Sequence, residues 1–314
     1  MKFLSLATAT ALLASLITAH PVFDELTTPS SPIDYKRAPA ASLRQVSDFG
    51  SNPSKVKMYI YVPDKLASSP PIIVAIHYCT GTAQAYYNGS PYARLADQKG
   101  FIVIYPESPY SGTCWDVSSR ATLTHNGGGN SNSIANMVDY TLRTYKGDPT
   151  KVFVTGSSSG AMMTNVMAAT YPALFAAGIV YSGTPAGCFY SQSGGTAAWN
   201  SSCANGQARG TPQVWAKMVH DMYPGYEGER PKMQIYHGSS DSTLNANNYN
   251  ETIKQWAGVF GFDYQKPDST AQNTPQSGYT TYTWGEGKLV GVYARGVGHS
   301  VPMRGSDDMK YFGL

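Results

Sequence analysis

A chain of 314 residues, 42% of them hydrophobic, can bury a sizeable core as one large α/β domain or two small ones. Charged residues make up only 14%, and a formal net charge of +3 is too weak and too dispersed to suggest nucleic acid or an anionic membrane as a partner. Glycine (31), tyrosine (23) and proline (20) are abundant instead, which describes a neutral polar surface rich in loops and aromatic rings.

Met1-Lys2, the apolar run from Phe3 to Ile17 and the small-residue end Thr18-Ala19 read as a secretory signal over residues 1–19. The run is short for a membrane span, and nothing later replaces it. Residues 20–37 carry no sustained periodicity and end in the dibasic pair Lys36-Arg37, as a propeptide cut by a processing protease would, leaving 38–314 as the mature domain. Three sequons, beginning at Asn88, Asn200 and Asn250, agree with a eukaryotic secretory route and are candidate glycosylation sites. Four cysteines in an oxidising compartment allow three pairings. We expect Cys79 with Cys114, joining two strand-end loops, and Cys188 with Cys203, closing a short Gly/Ser-rich loop. None of the spacings matches a zinc site, so no metal is expected.

From Ser42 onward the chain alternates strand-like and helix-like segments, the pattern of a largely parallel sheet covered by helices. Arg44 to Phe49 and Val56 to Val62 read as antiparallel opening strands. Pro71 to His77 is continuously apolar, as a strand buried on both faces should be. A loop through Cys79 and a helical stretch ending near Leu95-Ala96 follow, then a buried strand, Phe101 to Pro106. Thr113 to Asn130 reads as a long loop whose glycine run leads to a helix capped by Asn130 or Ser131. Val152 to Val154 and Phe175 to Ser182 are further strands. Gly183 to Gly210 is loop again, Met233 to His237 a strand, and Asn247 to Phe260 a helix. Tyr279 to Trp284 and Leu289 to Tyr293 are strand-like, and a short helix ends the chain. There is no internal repeat and no second domain.

Between strand and helix lies Thr155-Gly156-Ser157-Ser158-Ser159-Gly160-Ala161, in which only Ser158 has a glycine two residues away on each side. Gly-x-Ser-x-Gly in that context is the nucleophile elbow of α/β-hydrolases, whose glycines let strand and helix approach while the sharp turn lifts the hydroxyl above the sheet. In that fold an acid and then a histidine follow in chain order, each just beyond a late strand. Asp241, in His237-Gly238-Ser239-Ser240-Asp241, and His299, in Gly298-His299-Ser300-Val301-Pro302, occupy those places. His237 lies too early and is read as structural, His77 is read as a strand-end residue, and His125 and His220 have no acid at useful spacing. Ser158 would attack an acyl carbon, His299 would carry the proton and Asp241 would orient the imidazole. Oxyanion stabilisation needs two N–H donors: Ser159, after the nucleophile, and Cys79, in the loop beyond His77, are the candidates. Trp115 and Trp199 lie in the two long loops, where either would stack on a sugar ring; Trp215 and Trp256 read as core.

These motifs, together with His77-Tyr78-Cys79-Thr80-Gly81, Cys114-Trp115-Asp116, Asn130-Ser131-Asn132-Ser133-Ile134 and Tyr171-Pro172-Ala173-Leu174-Phe175, make the chain from Ser42 to Leu314 resemble fungal secreted esterases of carbohydrate esterase family 1, most closely its acetylxylan esterases. The resemblance implies a single-domain α/β-hydrolase fold and hydrolysis of acetyl groups from xylan without metal or organic cofactor. It implies an extracellular enzyme acting on acetylated xylan or a related plant cell-wall polysaccharide, and we expect a monomer. Feruloyl esterases and polyhydroxybutyrate depolymerases are relatives, so a feruloyl esterase is the alternative enzyme. An inactive hydrolase fold that binds carbohydrate is the non-enzyme alternative. Tyr78 departs from one common family form, His-Gly-Cys, at the oxyanion loop.

Overall fold

Among the described residues, ten strands form one sheet in the order β1-β2-β4-β3-β5-β6-β7-β10-β9-β8. They are β1 (Arg44–Val46), β2 (Lys57–Tyr61), β3 (Ile72–Ile76), β4 (Ile102–Glu107), β5 (Val152–Ser157), β6 (Ala177–Tyr181), β7 (Lys232–Gly238), β8 (Ser269–Gln272), β9 (Tyr279–Trp284) and β10 (Leu289–Ala294). The computed structural model describes residues 42–193 and 195–314; the signal and propeptide readings lie outside the described residues, as does the start of the 38–314 domain. The six strands from β4 to β10 run parallel, and antiparallel pairs extend the sheet at both edges.

Strand periodicity sorts side chains into two cores. Ile72, Val74 and Ile76 of β3 face one, with residues of α3 (Asn130–Tyr145), α4 (Ser159–Thr170), α6 (Pro212–Met222) and α7 (Asn247–Phe260). Ile73 and Ala75 face the other, with α1 (Ala83–Gly89), α2 (Tyr92–Lys99) and α8 (Gly305–Phe312). Helices on both faces of a mostly parallel sheet give the layered α/β architecture expected of an α/β-hydrolase. A four-residue helix, α5 (Ser201–Ala204), lies in the second long loop. No helix among the described residues is long and apolar enough to cross a membrane.

Local expectations change at several points. The helical stretch after Cys79 is two helices, α1 and α2, separated at Ser90-Pro91, because Pro91 offers no N–H to continue the first. Helix α3 is capped by Gly129 rather than Asn130 or Ser131; a Cβ at Gly129 would lie 2.3 Å from Thr122 Oγ1, and the Asn130 side chain is used elsewhere. Strand β8, fully exposed and without apolar alternation, carried no readable signal.

Helix α8 is anchored through Asp308, which is fully buried and accepts hydrogen bonds from Tyr92 Oη (2.9 Å) and Tyr181 Oη (2.6 Å). Burial raises its carboxyl to about 6, against the pull of those two hydroxyls toward the charged form. With an unfolded value near ~3.9, its contribution to stability is complete below about pH 4 and is lost as pH rises through about 6. Asp308→Asn preserves the volume and cannot ionise. Its melting temperature relative to wild type is therefore expected to climb between about pH 4 and pH 7; a constant difference in a pH series of melts would contradict this.

Candidate active site

Strand β5 and helix α4 meet at Ser158, whose φ of 55° and ψ of −120° put a non-glycine residue in a costly region. Packing on both sides enforces the turn. A Cβ on Gly160 would lie 2.1 Å from Ile76 O, and one on Gly156 would lie 2.4 Å from Gly160 O. Ser158 N donates to Tyr181 O and Ser158 O accepts from Met162 N, each at 2.9 Å, and every residue of α4 is buried. The serine is thus held between two elements that cannot move apart without exposing core.

Loops after β7 and β10 bring the other two residues to it. Ser158 Oγ lies 2.8 Å from His299 Nε2, and His299 Nδ1 lies 2.8 Å from Asp241 Oδ2. Asp241 Oδ1 accepts from the amides of Thr243 and Leu244, each at 2.9 Å. Burial opposes ionisation of Asp241, but hydrogen bonds from His237, His299 and the Leu244 amide together hold its carboxyl far below the usual carboxylate range. The carboxylate is therefore charged at every pH at which an imidazole changes state.

His77 is buried at the end of β3, where Nδ1 donates to Tyr78 O (2.7 Å) and Nε2 accepts from Ser108 N (3.2 Å). Burial pushes its pKa down, and this pattern needs the neutral ring. The following loop is tied by the disulfide Cys79–Cys114. Its Thr80 amide donates to Gly112 O and its Gly81 amide to Tyr78 O, whereas Cys79 N has no such bond among the described residues. Ser159 N stands at the first position of α4, where helix amides lack intrahelical acceptors.

Trp115 does not line a cleft. It is 1% exposed, with Nε1 donating to His77 O (2.8 Å) and its amide to Ser159 Oγ (2.7 Å), so it fixes the floor between the Cys79 loop and the elbow. Trp199 is 61% exposed, its ring set edge-on against Phe189, and remains available to a ligand. Trp215 and Trp256 are core residues.

Sequence reasoning missed Asp116. Buried in the first long loop, it accepts from Ser119 Oγ, Thr122 Oγ1 (2.9 Å), the amides of Ser118 (3.1 Å) and Ser119 (3.0 Å), and, across to the second long loop, Ala197 N (3.1 Å). The first loop's Ser118 Oγ also accepts from Ala198 N (2.8 Å). The disulfide Cys188–Cys203 closes that second loop. The density of Ser and Thr after Asp116 was the available signal. Of the sequon residues, Asn88 and Asn250 are exposed, while Asn200 caps α5 and donates to Cys188 O.

Ser158 and His299 are both partly exposed. Concavities of about 700, 490, 400 and 360 Å³ open elsewhere, and none of these four is lined by Ser158, Asp241 or His299. The largest one lies against β7, β9 and β10, away from the hydroxyl, so size is a poor guide to chemistry here.

The family described as esterase PHB depolymerase matches residues 56–275. The chain is 68% identical over 275 residues to a probable acetylxylan esterase A of Aspergillus clavatus, covering 88% of this chain and 89% of that one. It is 67% identical, with the same coverage, to acetylxylan esterase A of Aspergillus oryzae. A solved structure described as an acetyl xylan esterase from Aspergillus awamori is 65% identical, superposes with a TM-score of 0.86, and covers 87% of this chain and 99% of its own.

The two tryptophans are expected to separate cleanly on substitution. Trp115→Ala should cost about 3–5 kcal/mol of stability through the cavity and lost bonds, and Trp199→Ala under about 1 kcal/mol. Chemical denaturation of both variants measures this; equal losses would place the two residues in equivalent environments and refute the distinction.

Proposed function

Because the chain belongs to the esterase PHB depolymerase family and is a carboxylic ester hydrolase, we propose that it removes acetyl groups from xylan by a Ser158-His299-Asp241 acyl-enzyme mechanism. The observation that carries the mechanism is the unbroken hydrogen-bonded line from Ser158 Oγ through His299 to Asp241, with both contacts at 2.8 Å. The names of its relatives support the substrate. The partly exposed hydroxyl accords with a polymer reached along its chain.

Ser158 Oγ attacks the acetyl carbonyl as His299 Nε2 takes its proton. The amides of Cys79 and Ser159 receive the developing oxyanion in a loop pinned by a disulfide and on a helix N-terminus pinned by core packing, so neither donor has to reorganise. His299 then protonates the departing sugar oxygen, leaving acetyl-Ser158. Water, deprotonated by the same histidine, attacks the acetyl carbon, and His299 returns that proton to Ser158 Oγ as acetate leaves. Asp241 stays ionised throughout and balances the transient imidazolium. No step calls on a cofactor. Trp199 serves as a platform for a neighbouring sugar ring.

We also propose that the enzyme is secreted, with residues 1–19 removed as a signal and 20–37 as a propeptide. The apolar start of the chain and the two disulfides support this.

Acetate release from acetylated xylan and ferulate release from methyl ferulate, measured in parallel, test substrate and mechanism. Wild type is expected to release acetate. Ser158→Ala should lower kcat by about 10⁴-fold or more and Asp241→Asn by about 10⁴-fold. Ferulate release alone would move the substrate to an aryl ester, and activity surviving in Ser158→Ala would overturn the mechanism.

A further inference from the structure

His237 is a fully buried histidine that no step above uses. It lies on β7, and its Nε2 sits 2.8 Å from Leu244 O and 3.1 Å from Asp241 Oδ2, the carboxylate oxygen that also faces His299 Nδ1. Two imidazoles therefore converge on one oxygen of the proposed catalytic acid.

The chemistry of the partners fixes the state of this ring. A carbonyl oxygen can only accept, so Nε2 must carry hydrogen and donate to Leu244 O, with the longer component of the same N–H directed to the carboxylate. The other nitrogen, Nδ1, is buried and has no hydrogen-bond partner among the described residues. A proton there would be an unpaired charge-bearing donor in the interior. His237 is thus read as neutral, in the Nε2–H tautomer, while His299 must be an Nδ1–H donor to Asp241 and an Nε2 acceptor from Ser158.

We propose that His237 is a positioning residue for the esterase reaction, which holds the Asp241 carboxylate in register with His299 and tempers its basicity through a shared Nε2–H. The proposal rests on the triad reading above. Without His237, Asp241 keeps its two amide donors on Oδ1 but meets His299 alone at Oδ2. The less-solvated oxygen then stabilises the His299 imidazolium more strongly. An imidazolium held that tightly is slower to give its proton to the departing sugar oxygen. The titratable groups facing Asp241 are His237 and His299.

Three variants and one spectrum test this. His237→Gln places an NH₂ near the ε position, with one hydrogen for Leu244 O and one for Asp241. His237→Asn ends a bond short, and His237→Met fills the space without a donor. On an activated acetate ester, the Asn and Met variants are expected to show kcat lowered about tenfold with KM changed less than about twofold, and an acid limb of kcat/KM moved to higher pH. Gln should restore much of both. Wild-type profiles in folded Asn and Met variants, or a Gln variant as impaired as Met, would overturn the proposal. If the Asn and Met variants do not fold, ¹⁵N spectra of histidine-labelled wild type decide: a neutral Nε2–H ring for His237 that keeps its state while His299 titrates is the expected result, and an Nδ1–H or doubly protonated ring refutes it. Activity surviving in Ser158→Ala would instead bring down the triad reading itself, so the two failures are distinguishable.

Discussion

The close approach of β5 and α4 at Ser158 is the constraint from which the rest of the site follows. A serine at φ 55° costs free energy, and it persists only because its neighbours leave no alternative. Gly156 and Gly160 allow contacts that any side chain would forbid, and the twelve buried residues of α4 anchor the far end of the turn. Core packing thus underwrites a strained active-site geometry. The same packing sets the first helical amide beside the hydroxyl, so the proposed nucleophile and the proposed oxyanion donor are delivered by a single backbone event.

Around that point buried polar groups tie the loops to the sheet and to one another. Trp115 bonds to the end of β3 and to the start of α4, Asp116 gathers donors from both long loops, and Asp241 is satisfied on both oxygens. Each buried polar group here has a geometric task, and each would be costly to leave half paired. Rigid borders suit the proposed reaction, whose transition state needs fixed dipoles.

Much of this was legible in the sequence because it depends on local chemistry. Continuous apolar runs marked β3 and β4, the glycine spacing marked the elbow, and the order of Ser158, Asp241 and His299, each just beyond a strand, identified the triad candidates. What failed depended on distant partners. Trp115 reads as a sugar-stacking loop residue because nothing adjacent to it reveals that His77 O and Ser159 Oγ come to meet it. Asn130 looked like a helix cap, but tertiary bonds to Asp116 N and Tyr110 Oη claim its side chain. His237 could be set aside on position alone, yet its ring reaches the acid only because the chain turns back between Gly238 and Asp241. Exposed β8 has no pattern to read, since its pairing with β9 is made by backbone groups.

Asp116 bears on motion as well as shape. A single buried carboxylate accepts from residues of both long loops, so neither loop can open without stripping donors from the anion that the other also needs. Opening of either loop therefore disturbs bonds of the other, since amides as far apart in sequence as Ser119 and Ala197 share one anion. Trp199, two residues from Ala197, is thereby tied through one anion to the first loop as well as to its own.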